Sequence, residues 1–384
     1  MLYSFKKINI ESPFPTTQCG HSSQINELFD YHDHLYARVF SFKDDNNWII
    51  HYSMDLLAFD LEHRNKLQEY LRDYYKNDSI HIITSTTHTH YANSVRNATY
   101  VEYLFELLKK ETINMQYREI HNIQTSYQKI HSTAVGKSRI SGYETDNEYL
   151  ALIKFYSDDE NFLNIIYYNC HPTILHANVP YFSSEYPGYV LKKLEDNYPQ
   201  IDFTYMQGAA GDISSRFVRS SQDYDSVTEL GDRLYDEIIT LYKTNFSYFP
   251  LDIKYKEIPI EYEHEFTPVD LSLIRDNLSD RELETIKLGQ QQREKLEKNA
   301  SSLAKKALIS TLYLGSVQLI FFPNEIFSEY INYIDIDRQL LVSYSNGYGP
   351  YVLPLDFRHI TYEMFTDTLN RKTKEKIIEI FKTI

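Results

Sequence analysis

Apolar positions along the chain fall into short runs separated by polar turns, and strand-like and helix-like spacings alternate. Arg38 to Phe42 and Trp48 to Met54 are apolar runs around Asp44-Asp45-Asn46-Asn47, which predicts a β-hairpin. Tyr149 to Phe155 and Phe162 to Tyr168 repeat that arrangement around Asp158-Asp159-Glu160. Ser79 to Thr84, Phe203 to Met206, Leu314 to Phe321 and Leu340 to Tyr344 read as further strands. Helical spacing marks Leu61 to Tyr75, Val101 to Tyr117, Pro187 to Asp196 and Asp223 to Tyr242, and an amphipathic helix is expected from about Tyr362. Asp270 to Ser310 differs: it is proline-free, charged, periodic and rich in Gln, Glu and Lys. It predicts one or two long helices, a helical arm (270–310) held at the surface mainly by i,i+4 pairs. No internal repeat or low-complexity linker is visible. The expected fold class is α/β (α+β), a mixed β-sheet core flanked by helices within a single domain, 1–384.

Composition narrows the functions. With 42% hydrophobic and 24% charged residues, a substantial core is feasible. The formal net charge of -15 speaks against nucleic acid, whose binding rests on Lys and Arg neutralising phosphates, and against an anionic membrane surface. Tyr 35 and Phe 21 against Trp 1 reads as overall composition bias, so the tyrosines are not taken as a binding surface. Cys19 and Cys170 stand far apart, make no disulfide framework, and are expected as reduced thiols. No apolar run approaches the roughly 20 residues of a membrane helix, and the first residues lack an apolar signal region. The expected location is therefore cytoplasmic, with no transmembrane segment.

Four segments carry candidate chemistry, each at or near the end of an expected strand, where sites on α/β folds gather. Thr86-Thr87-His88-Thr89-His90 places two imidazoles two residues apart, which in extended backbone face one side together. Neutral imidazole suits Zn²⁺, although many His-x-His pairs are exposed strand residues. In Tyr168-Asn169-Cys170-His171-Pro172-Thr173, Pro172 ends strand pairing and restricts His171 to extended geometry. His176 and the Cys170 thiol compete as ligands there, and Cys170 should point the opposite way from His171. Gln207 to Arg216 (QGAAGDISSR) has small residues that allow close backbone approach, with Arg216 able to bind a carboxylate or a developing oxyanion. A structural turn in which Asp212 caps backbone amides is the alternative. Last come Phe322-Pro323-Asn324-Glu325 and Tyr344 to Tyr351 (YSNGYGPY), readable as a helix-start acid and a glycine turn.

The order of these segments resembles the neutral (non-lysosomal) ceramidase family: Thr-His-Thr-His, His-Pro-Thr, Gly-Ala-Ala-Gly-Asp-x-Ser, Pro-x-Glu, then Asn-x-Tyr-x-x-Tyr. Asp33 to Arg38, Ser53 to Leu57, and Ser184-Glu185-Tyr186-Pro187-Gly188 are similar to further family segments, so the resemblance spans roughly residues 30 to 355. It implies one zinc ion held by His88, His171, Glu325 and Tyr348, with Tyr351 competing for the last position. It also implies that His90 faces the substrate and that Ser214 borders the site, beside Arg216. This chain departs from the family at Tyr91-Ala92-Asn93, where Ser-Gly-Pro is usual, and at Glu185, where the family has Asp two residues after a Ser. The implied activity is zinc-dependent hydrolysis of an amide bond in a small-molecule or lipid-like substrate. The alternatives are a zinc-dependent esterase or tailoring enzyme, and a non-catalytic small-molecule binding protein on the same scaffold.

Overall fold

The computed structural model describes residues 1–20, 26–244, 247–271 and 278–384. It is a mixed α/β protein built on one connectivity used three times. In each use three strands form an antiparallel meander, and a fourth returns after a crossover to pair parallel with the third. The first unit is Leu2–Asn9, Tyr36–Lys43, Trp48–Met54 and, after helix Leu61–Tyr75, Ile80–Thr86. The second is Gln124–His131, Tyr149–Ser157, Glu160–Tyr168 and, after helix Glu185–Asn197, Asp202–Gln207. The third is Ile253–Glu261, Lys306–Leu314, Val317–Phe321 and, after the 3₁₀ turn Ser328–Tyr333, Gln339–Val342. No sequence repeat announces this, because each unit fills its pattern with different residues.

Local chemistry sets the turns. Asp44 Oδ1 accepts from the backbone N–H of Asn46 and Asn47, closing the first hairpin. Asp158 and Asp159 both have positive φ (49° and 69°), the geometry of a two-residue hairpin turn matching strand twist. The first strand of each unit was not legible as a strand. Ile253–Glu261 even contains Pro259, tolerated because this strand lies at the edge of its sheet.

Phe40, Phe42 and Ile49 of the first sheet meet Ile153 and Ile165 of the second and Leu312, Leu319 and Phe321 of the third in one buried cluster. The fourth strands also join at their C-terminal ends. Gly208 bridges to Val342, Ser85 to Ser345, and the Ser343 N–H donates to Gln207 O at 2.9 Å. All three units therefore send the loops at these ends toward one place.

Two expectations need correction. The arm over 270–310 is a helix only from Asp280 to Lys298. Ser279 and Glu282 start it with a reciprocal capping box, and Lys306 onward is strand because Ala307, Ile309 and Leu312 are buried in the third sheet. Residues 272–277 of that segment lie outside the described residues. The C-terminal helix is split into Tyr362–Thr366 and Arg371–Thr383. Between them the Asp367 carboxylate takes the Leu369 N–H, and Asn370 caps a new helix. No helix among the described residues is long and apolar enough to cross a membrane.

Candidate metal centre

His88, His90 and His171 offer ring nitrogens that all lie within 4.8 Å of one another, and this group can bind a metal ion. The sequence pairing of His88 with His90 rested on extended backbone, and that reason fails. The strand ends at Thr86, and His88 has φ 64°, left-handed, where a non-glycine residue is strained by roughly 1–2 kcal/mol. The turn, not the pleat, brings the two rings to a centroid separation of 5.0 Å.

What holds that turn is the Ser53 to Leu57 segment. His88 N–H donates to Leu56 O at 3.0 Å, and His88 Nδ1 lies 2.7 Å from Leu57 O. The buried Asp55 carboxylate braces the segment by accepting from the Tyr36 N–H at 2.9 Å and from Arg38 at 3.4 Å. His171 is fixed in a parallel manner. Its N–H donates to Ile213 O, and its Nδ1 sits 2.5 Å from Ala210 O. A ring nitrogen facing a carbonyl must carry the proton, so in the neutral form of either imidazole Nε2 is the nitrogen left free to bind an ion. Burial, and then the Arg139 guanidinium, push the His171 pKa down to about 4, which keeps it neutral.

Glu325 meets both exposed nitrogens. Its Oε2 lies 3.1 Å from His171 Nε2 and 3.4 Å from His88 Nε2. Ligands about 2.0–2.1 Å from a tetrahedral ion sit about 3.3 Å from each other, so these spacings are those of a shared coordination sphere. The buried His88 Nε2 has no hydrogen-bond partner among the described residues, a cost that an ion at this point would relieve.

The glycine segment positions these parts through its backbone, by way of Ala210 O and Ile213 O on His171. Gly211 N–H donates to Ile326 O, beside Glu325, and a Cβ on Gly211 would come within 2.9 Å of that carbonyl. Asp212 is the structural cap expected of it, accepting from the N–H and hydroxyl of Ser328 at 2.6 and 2.8 Å. Close approach thus serves backbone-to-backbone packing that sets Glu325 against His171.

The remaining candidates sort by position. Tyr348 donates to Glu325 Oε1 at 2.5 Å; the residue is 40% exposed, but its hydroxyl rests on the buried carboxylate. Tyr351 accepts from Arg139 at 3.0 Å and also reaches Glu325. His90 and Ser214 line a cavity of ≈ 1030 Å³ that opens over the group, as do Glu325, Tyr348 and Arg216. Ser214 also bridges to His171. His176 is exposed and outside the group, while Cys170 points away from it into the second unit's core.

Arg139 escaped the sequence reading, and Tyr344 entered it only as a strand end and the start of a glycine turn. Arg139 ion-pairs with Glu363 at 2.7 Å, and the Tyr344 ring stacks on His88 at 3.8 Å. Arg139 sits in a short polar loop without periodicity, and nothing in its neighbours signalled a site. Gly20 was missed as well: with φ 123°, it backs onto His90, and a Cβ there would lie 2.6 Å from the ring.

This geometry can be compared with known proteins. No protein-family model matches the chain, and no curated protein matches it by sequence. Solved structures do: neutral ceramidase from Pseudomonas aeruginosa superposes with a TM-score of 0.74 over 99% of this chain and 73% of that one. This chain has the neutral ceramidase fold. A second structure, of ceramidase complexed with C2, gives a TM-score of 0.75 over 99% of this chain and 74% of that one. Identity is 14% in both cases, so the likeness is of fold. The ceramidase-like scaffold was legible from motif order alone, and the three-unit core agrees with it.

Proposed function

We propose that this chain is a zinc-dependent hydrolase that cleaves an amide bond by metal-activated water. One observation carries the reading: two buried imidazoles and a carboxylate, each fixed by neighbouring backbone, stand at ligand-to-ligand spacing at the edge of a large cavity. His88, His171 and Glu325 would hold the ion, with Tyr348 beside them on Glu325. Nitrogen and carboxylate donors in this number suit one Zn²⁺ with a position left for water. When bound, the ion supplies Lewis acidity and a water acidic near neutral pH.

The chain's own residues supply the rest. Outside the pair fixed by carbonyls, His90 faces the cavity, where a neutral imidazole can take a proton and return it to a leaving amine. Ser214 borders the same space, and Arg139 with the Tyr351 hydroxyl sets polar donors near Glu325. Apolar lining by Leu57, Leu175, Ile140, Ile286 and Leu296 suits a lipid-like acyl chain. The fold likeness to neutral ceramidases supports the amide as the bond cleaved. Cys19 and Cys170, both free and buried, suit a reducing cytoplasm.

Fatty-acyl amides and the matching esters should be assayed side by side, with and without a chelator. The reading expects amide turnover that the chelator abolishes and Zn²⁺ restores. In His88→Ala, metal stoichiometry falls from about one toward zero, and turnover falls by at least ~100-fold. Turnover of esters alone, or an active and metal-replete His88→Ala protein, would contradict it.

A further inference from the structure

The cavity carries a charge opposite to that of the protein. Across the chain Asp and Glu outnumber Lys and Arg by 54 to 39. The lining reverses this, with Arg96, Arg139, Arg216, Arg219, Arg281 and Lys295 against Glu282, Glu325 and Glu363. Those three acids are already engaged: Glu325 with the imidazoles, Glu363 with Arg139 at 2.7 Å, and Glu282 in the capping box on Ser279.

Arg216, Arg219 and Arg281 therefore have no carboxylate within ion-pair distance among the described residues. Arg219 is anchored only by neutral acceptors, donating to Thr173 O at 2.5 Å, Ile174 O at 3.3 Å and Ser215 Oγ at 3.4 Å. Arg216 leans over the Phe217 ring at 5.2 Å. Arg281 lies in the first turn of helix Asp280–Lys298 and lines the same cavity. Burial comes first in making Arg216 and Arg219 easier to deprotonate, and the Arg281 charge comes next for both, so the guanidinium groups repel one another across the cavity wall. Glu282 and Glu363 act on Arg216, and Glu185 on Arg219, only from beyond ion-pair distance. Like charges gathered in a concave wall without a directly paired counter-charge favour an anion, and guanidinium is well shaped for carboxylate or phosphate.

We infer that Arg216, Arg219 and Arg281 form an anion subsite, so that the substrate is an acyl amide whose polar end carries a carboxylate or phosphate. This rests on the reading of the cavity as the substrate site. It also gives helix Asp280–Lys298 a recognition role in addition to roofing the cavity.

The test is calorimetric binding to the full chain as purified. Three probes share one alkyl ether and carry no carboxylic amide or ester: dodecyloxyethanol, dodecyloxyacetate and dodecyloxyethyl phosphate. The expected result is at least ~10-fold tighter binding of one or both anions than of the alcohol, with the larger ratio identifying carboxylate or phosphate. The ratio should drop to about 2-fold in R216Q/R281Q and shrink in about 0.5 M salt. R281E alone, at an exposed position, should lower the ratio at least ~3-fold without depending on the buried packing of Arg219. Equal binding of the three probes, or a preference that survives both variants, would overturn the subsite. Because no turnover is read, that failure is separate from a failure of amide hydrolysis.

Discussion

At the scale of single residues, the centre depends on proton placement. His88 and His171 each commit one ring nitrogen to a backbone carbonyl, and in their neutral form this leaves the two Nε2 atoms that Glu325 faces free to bind an ion. His90 is held differently, by shape, with the Gly20 backbone against its ring. Gly20→Ala is expected to displace His90, lowering kcat ~10–100-fold while metal content stays at one per chain. Metal analysis together with steady-state kinetics checks this; loss of metal in that variant would move His90 into the ligand set. Much of this was legible by type and order: His88, His171 and Glu325 were singled out from strand ends, and they converge. The turn at His88 was not legible, since φ 64° arises from contacts with Leu56 and Leu57 some thirty residues earlier in the chain. Nor was Arg139, whose partners Glu363 and Tyr351 are remote in sequence.

At the scale of elements, the His-Pro-Thr segment is set by the start of helix Glu185–Asn197. Glu185 has φ 57°, is fully buried, and accepts from the N–H of Ile174 and of Leu175. Burial pushes its pKa up to about 8. Between the unfolded value near 4.3 and about 8, the folded chain holds a proton that the unfolded chain has released, so stability falls as pH rises through that window. Glu185→Gln keeps an acceptor and removes the titration. Its melting temperature should exceed that of the parent at pH 8.5, with the gap closing toward pH 5. A parallel pH dependence in both proteins would contradict the assignment. Hairpins and helices with strong periodicity were readable in the sequence. The first strand of each unit and the break after Thr366 were not, because pairing with strands remote in sequence and capping, not hydrophobic spacing, decide them.

For the whole molecule, three four-strand units bring distant segments to one cavity, and their joints matter as much as the ligands. Arg64, buried in helix Leu61–Tyr75, donates to Ile82 O in the first sheet and pairs with Glu257 in the third. Arg64→Met leaves that carbonyl without the guanidinium and Glu257 with the Tyr255 hydroxyl but no cation. It should cost about 2–3 kcal/mol, less than a fully buried pair because Glu257 keeps contact with water. Denaturant unfolding measures the loss, and a change below ~0.5 kcal/mol would show that the joint does not depend on this residue. The three-fold connectivity could not be read from one sequence, since its units share pairing order and no residue pattern.

The central claim concerns one ion shared by remote strand ends, and anomalous scattering at the zinc absorption edge from crystals of protein purified without added metal tests it most directly. The account predicts a single peak per chain, about 2.0–2.2 Å from His88 Nε2, His171 Nε2 and a Glu325 carboxylate oxygen. A peak bound by His90 with Glu325 outside its coordination sphere, or no peak among these side chains, would contradict it.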